Sequence, residues 1–95
     1  MQTEEFKKWL EQKYPGEKKT VNSRISNCKK VEKYYGNLDE KYDVDKCRKV
    51  ISALNYTKDD ERQNMPHLVR INGNIYDGLA TLKQAVKLYV EFRNY

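Results

Sequence analysis

Thr20-Val21-Asn22-Ser23-Arg24-Ile25-Ser26-Asn27-Cys28-Lys29-Lys30-Val31-Glu32-Lys33-Tyr34-Tyr35, closed by Gly36, is the stretch whose reading decides the fold. Val21, Ile25, Cys28, Val31, Glu32 and Tyr35 recur at the spacing that lines one face of an α-helix. Gly36 supplies a C-terminal stop, because glycine takes the left-handed conformation without steric cost. On a wheel of 3.6 residues per turn the opposite side carries Asn22, Ser23, Ser26, Lys29, Lys30 and Lys33. Arg24 and Glu32 fall within or beside the apolar stripe, so both are candidates for half-buried, structurally paired charges.

Outward from this helix the chain keeps a helical period. Phe6, Trp9, Leu10 and Tyr14 predict a first helix over Glu4 to Lys13, capped by Thr3 and halted by Pro15-Gly16. Beyond Gly36 a short turn or helix is expected over Leu38 to Tyr42. Asp43 is then expected to cap a third helix holding Val44, Cys47, Val50, Ile51 and Leu54. Thr57 and Asp60 form a capping-box pattern for one more turn over Lys58 to Arg62. Periodicity lapses from Asn64 to Asp77, where Pro66, Asn72-Gly73 and Asp77-Gly78 punctuate the chain. An ordered loop or a minor hairpin is expected there. A last helix over Gly78 to Arg93 places Leu79, Leu82, Val86, Tyr89 and Arg93 on one face, with Lys83, Gln84, Lys87 and Glu91 turned away.

These elements predict a mainly α domain, a small bundle of four to five helices. The 95 residues suit one core, and a hydrophobic share of 38% exceeds what a disordered chain carries. Eight tyrosines, two phenylalanines and Trp9 supply much of the buried mass. Tyr14, Tyr35, Tyr42 and Tyr89 occupy core-like positions. Tyr34 lies on the polar side of its helix and is the tyrosine placed to stack on a base; Tyr95 should fray. No apolar run is long enough for a membrane span, and the start lacks the order of a secretory signal. Cys28 and Cys47 show no framework spacing and read as buried thiols in a reducing compartment, so the expected location is cytoplasmic. The abundance of Lys, Tyr, Asn and Ile suits an AT-rich genome, bacterial or phage.

The residue inventory argues against catalysis. One histidine, His67, denies the chain any site built on two imidazoles. Two cysteines with 18 residues between them match no zinc spacing, and His67 reads as a loop residue. Asp43-x-Asp45 starts like a calcium loop but meets Arg48 and Leu54 where Gly and Glu are required. Glu-x-Lys triplets at Glu5, Glu11 and Glu17 lack the strand and second acid of a nuclease, and Asp59-Asp60-Glu61 reads as first-turn acids of a helix. No glycine-rich phosphate cradle is present. The expectation is a non-enzyme with no cofactor and no metal.

Charge is the feature with functional content. The segment from Lys18 to Lys33 holds six basic residues against Glu32 and so carries the entire net charge of +5; the remainder has thirteen of each sign. Such a face is either a solvated helix surface or the footprint of an anionic partner. Lys, Ser and Asn side chains together are the set that contacts nucleic-acid phosphates.

The order of elements adds a resemblance. Thr20-Val21-Asn22-Ser23-Arg24-Ile25-Ser26-Asn27-Cys28-Lys29-Lys30-Val31 resembles the helix that opens the SAM-like core-binding domain of phage integrases and tyrosine recombinases. Ala80-Thr81-Leu82-Lys83-Gln84-Ala85-Val86-Lys87-Leu88-Tyr89-Val90-Glu91-Phe92 is similar to that domain's closing helix. Similar segments accompany restriction-type nuclease domains as accessory modules. The resemblance spans about two thirds of the chain and implies a bundle of about four helices that clamps duplex DNA, with the second and last helices facing the groove. The matching polar positions are Asn22, Ser23, Ser26, Lys29 and Lys30, with Thr81, Lys83, Gln84 and Lys87. The family's catalytic residues belong to a separate domain, so no recombinase activity is implied. The long connection from Asn55 to Asp77 departs from the family pattern.

Two expectations result. One is a non-catalytic domain that contacts duplex DNA phosphates through Lys29, Lys30 and Lys33, with Asn22, Ser23 and Ser26 beside them and Lys83 and Lys87 on the last helix. The other is a small inhibitor or adaptor, encoded by a phage or mobile element, that binds a protein or protein–nucleic acid complex of a host defence system. A short chain starting at Met1 without an attached enzyme suits the second.

Overall fold

The computed structural model describes residues 1–63, 69, 71 and 73–95, apart from the side chain of residue 61. Among these the protein is all α: α1 (Thr3–Lys13), α2 (Lys18–Tyr35), α3 (Leu38–Asp45), α4 (Arg48–Ala53), α5 (Lys58–Arg62) and α6 (Ile75–Asn94). The mainly α class therefore stands, with six helices among the described residues where four or five were expected. His67, Pro66 and the Asn72 position of the expected turn lie outside the described residues.

The molecule measures 40 × 31 × 19 Å. α2 packs most extensively on α6 and next on α1. Its inward residues Val21, Ile25, Cys28 and Val31 are buried, as are Leu79, Leu82, Ala85, Val86, Leu88 and Tyr89 of α6. The Cys28 thiol donates to the Ala85 carbonyl at 3.4 Å, which marks where the two helices meet. Phe6 of α1 closes the core edge-on to Tyr89, with ring centroids 4.9 Å apart.

Helix boundaries differ from the sequence reading where tertiary contacts intervene. Thr3 is the first residue of α1 and not its cap; Gln2 takes that position without a side-chain bond. The chain end is anchored by other means, because the Gln2 N–H donates to the Tyr89 hydroxyl at 2.7 Å. α2 starts two residues earlier than Thr20, with Glu17 preceding it. α6 starts at Ile75, ahead of Gly78, because the Asn74 side chain accepts from the Asp77 N–H at 2.9 Å and caps it there. Gly78 is thus helical, and its missing Cβ matters: one added there would stand 2.6 Å from Ile71 Cγ2.

The expected third helix is divided. Asn37, not Asp43, is the cap, its Oδ1 accepting from the Asp39 N–H at 2.8 Å and the Glu40 N–H at 3.3 Å. α3 then runs through Asp43 and Val44 to Asp45. Lys46 and Cys47 are both left-handed, at φ 56° and 63°, and redirect the chain into α4. Such conformations cost ~1–2 kcal/mol each for a residue with a Cβ. Burial of Cys47, Val50 and Leu54 offsets that cost, while Val44 is left 77% exposed. The capping box at α5 forms as read, with the Asp60 N–H donating to Thr57 Oγ1 at 3.1 Å and the Thr57 N–H to Asp60 Oδ2 at 3.0 Å.

Candidate nucleic-acid interface

The outer side of α2 follows from its apolar stripe. At 100° per residue, Lys18, Lys29, Asn22, Lys33, Ser26, Lys19, Lys30 and Ser23 occupy a continuous sector of about 140°. Asn22, Ser23, Ser26, Lys29 and Lys33 are exposed, and Lys30 is half-buried. From Lys18 to Lys33 the ridge spans about 22 Å at 1.5 Å per residue.

The ridge keeps its positive charge because its helix sends its one acid inward. Glu32 sits among the buried residues of α2, where its Oε2 accepts from the Leu38 N–H at 3.0 Å and lies 3.2 Å from the Met1 ammonium. Arg24 also leaves the ridge and is half-buried, its Nε without a hydrogen-bond partner among the described residues. Five lysines remain outside, and no carboxylate of the described residues lies within 4 Å of any of them. The first turn of α2 contains no acid and no side chain caps it, and Glu17 stands immediately before it. The Lys33 ammonium rests 5.9 Å from the centre of the Tyr34 ring, and that ring is half-buried against the core.

The lysines of α6 stand apart from this ridge. Ala85 touches Cys28 of α2, and Lys83 and Lys87 each lie two residues away, about 200° around the helix in either direction. Both therefore project from the side of α6 away from α2. Lys83 is half-buried and donates to Asn55 Oδ1 at 2.9 Å; Lys87 is exposed. Gln84 is exposed, and the Thr81 hydroxyl donates to the Asp77 carbonyl at 2.9 Å. The structure thus gathers Asn22, Ser23, Ser26, Lys29, Lys30 and Lys33 on one face and puts Lys83 and Lys87 on another.

A second charged centre had only partial sequence signals. The Met1 ammonium contacts Glu32 and, at 3.1 Å, Asp39 Oδ2. Asp39 Oδ1 accepts from the Tyr89 hydroxyl at 2.6 Å and from Arg93 Nη1 at 2.5 Å. The Arg93 guanidinium also covers the Tyr42 ring at 4.4 Å. Tyr42 in turn donates to Asn94 Oδ1. Burial alone would lower the α-amine pKa, but hydrogen bonds and charge from Asp39 and Glu32 outweigh it and raise it. Burial would likewise raise the Asp39 carboxyl, yet bonds from Tyr89, the α-amine and Arg93 hold it below its ordinary value. Glu32 and Arg93 on apolar faces were the visible hints; nothing in the sequence pointed to Asp39 or the α-amine.

Both thiols are buried and strongly protonated. Desolvation, then the nearby Glu32 charge, pushes Cys28 up to about 12; desolvation, then Asp45 and Asp39, pushes Cys47 to about 11. Among the described residues no group of three His, Cys, Asp or Glu is arranged to hold a metal ion. No helix among them is long and apolar enough to cross a membrane. No protein family, curated protein or solved structure matches the chain.

Proposed function

We propose that the protein is a non-catalytic nucleic-acid-binding domain whose α2 ridge lies against the phosphates of duplex DNA. The supporting observation is a helix face with five lysines, none of whose ammonium groups has a carboxylate of the described residues within 4 Å. Lys29, Lys30 and Lys33 make the main phosphate contacts, and Asn22, Ser23 and Ser26 supply neutral hydrogen-bonding groups among them. The resemblance of the α2 and α6 segments to the integrase core-binding domain supports duplex DNA over other polyanions, and a cytoplasmic location accords with it. In that family both helices face the groove. Here the α6 lysines project away from α2, so α2 is assigned the contact, and Lys83 and Lys87 contribute only through the longer-range field.

Replacing Lys29, Lys30 and Lys33 together by glutamine is expected to weaken binding to random duplex roughly 10- to 100-fold at low salt. The Lys83→Gln, Lys87→Gln pair should change it less than about threefold, since screened charges off the contact face act weakly. Equal affinity for the wild type and the triple variant in a gel-shift titration would refute the assignment.

The same ridge is complementary to an acidic protein surface, which carries the second reading, a small inhibitor or adaptor from a phage or mobile element. That reading expects no retardation of duplex, single-stranded DNA or RNA by the protein alone. It expects ridge-dependent binding only when the target protein is present.

A further inference from the structure

Where α1 turns into α2 the molecule has a cleft of about 360 Å³ whose rim includes the first turns of the ridge helix. The chain reverses there through Tyr14 to Glu17, with Gly16 at φ +75° and the Glu17 N–H bonded to the Tyr14 carbonyl at 3.1 Å. No atom stands within 4 Å of where a Gly16 Cβ would be, so this side of the turn is open. The half-buried Tyr14 ring and the buried Val21 side chain provide apolar lining. Lys7, Lys18 and Asn22 stand exposed around it. Glu11 and Glu17 complete the lining, and none of the four charged side chains is ion-paired with another described residue. The Tyr14 hydroxyl makes no hydrogen bond with a described residue either.

This combination of groups has a chemical logic. An aromatic ring beside an aliphatic side chain accepts a planar heterocycle of any sequence, because every base has a π-face. A side-chain amide offers both a donor and an acceptor to a base edge, carboxylates accept from exocyclic amino groups, and ammonium groups take phosphate. The volume lies at the low end of small-molecule sites and suits one nucleotide, not a longer segment. Asn22 belongs to both the cleft and the ridge, so a strand lying along Ser26, Lys29 and Lys33 leads into it.

We propose that this cleft receives one unpaired nucleotide, its base against Tyr14, its edge at Asn22 and its phosphate between Lys7 and Lys18, at the end of a duplex held on the α2 ridge. The proposal rests on the ridge reading and specifies its substrate as duplex with a single-stranded end. The ligand of the assembled surface is thus a junction, not uniform duplex.

The test compares fluorescence-labelled blunt duplex with the same duplex carrying a three-nucleotide overhang of either polarity, alongside an amide NMR titration with dAMP and with inorganic phosphate. One overhang should bind about tenfold more tightly than the blunt end. Tyr14→Leu, which keeps an apolar side chain, should abolish that advantage and leave blunt-duplex affinity unchanged. If Tyr14→Leu does not fold, Lys7→Gln at an exposed α1 position serves the same purpose and should reduce the advantage. The Gly16, Val21 and Asn22 amides should shift with dAMP and not with phosphate. Blunt duplex bound through the ridge lysines without any overhang advantage, or an advantage that survives in the variants, would overturn the cleft proposal and leave the ridge standing. If no duplex binds, the ridge reading fails and the dAMP titration decides the cleft alone: amide shifts there support a nucleotide site, and their absence overturns it.

Discussion

At the end of the molecule where Met1, α3 and α6 meet, charge is matched by charge; along the outside of α2 it is not. Arg93 and Lys29 both sit on long amphipathic helices, yet Arg93 reaches Asp39 at 2.5 Å and Asp43 at 3.5 Å, while no described carboxylate lies within 4 Å of Lys29. The first region shows what this chain does with charges that serve folding: it half-buries them, pairs them and adds hydrogen bonds. The second shows charges left to solvent on a face that folding does not use. Glu32 connects the two, since α2's one acid is drawn into the first region and thereby leaves the second uniformly positive.

If this division is sound, the two regions should respond to mutation in opposite ways. The largest effect on stability is expected from Asp39→Ala, which removes an acceptor from Tyr89, a counter-charge from Arg93 and one of two partners of the Met1 ammonium. Asp39 is 26% exposed, so the loss is below that of a fully buried pair, about 2 kcal/mol. A thermal melt should show a Tm lower by roughly 10 °C. Duplex affinity at a temperature where both proteins are folded should not fall. A drop in affinity with no loss of Tm would reverse the roles assigned to the two regions.

A smaller effect follows from pH. The Asp39 pKa is lowered in the folded state, so its stabilisation is present above its ordinary value of 3.8 and is lost as pH falls through the folded value. The α-amine pKa is raised, so its contribution is complete below the ordinary 8.0 and disappears as pH rises through the folded value. Urea midpoints of wild type relative to Asp39→Ala should therefore form a plateau between these limits, converge below the lower one, and narrow above the upper one, where the Arg93 and Tyr89 contacts of Asp39 persist. A difference that stays constant from pH 3 to pH 10 would mean that Asp39 contributes by packing and not by charge.

The same division explains which features could be read from the sequence. α2 and α6 were legible because their burial pattern is periodic and needs only a helical wheel to interpret. The ridge residues followed from the same wheel, as the side opposite Val21, Ile25, Cys28 and Val31. What no wheel contains is the company a face keeps after folding. Neither the opposed projection of Lys83 and Lys87 nor the lack of ion pairs to the ridge lysines among the described residues could be obtained without the helix packing. The break at Lys46-Cys47 was hidden for a related reason: Val44, Cys47, Val50, Ile51 and Leu54 have a helical period, and neither Lys nor Cys advertises a left-handed backbone. The Met1 ammonium has no letter in the sequence, so its pairing with Glu32 and Asp39 was invisible even though Glu32 itself stood out. The cleft at Tyr14 to Asn22 depends on how one helix turns back upon another.

If α2 holds a polyanion through its five ridge lysines, the salt dependence of duplex binding counts them. Each phosphate contact contributes about 0.9 to the negative slope of log Kobs against log salt, so the wild type should give a slope of about −4.5. The Lys29, Lys30 and Lys33 triple variant should retain only about −2, with its Tm unchanged. A wild-type slope near zero, or the same slope in both proteins, would rule out binding through the α2 ridge.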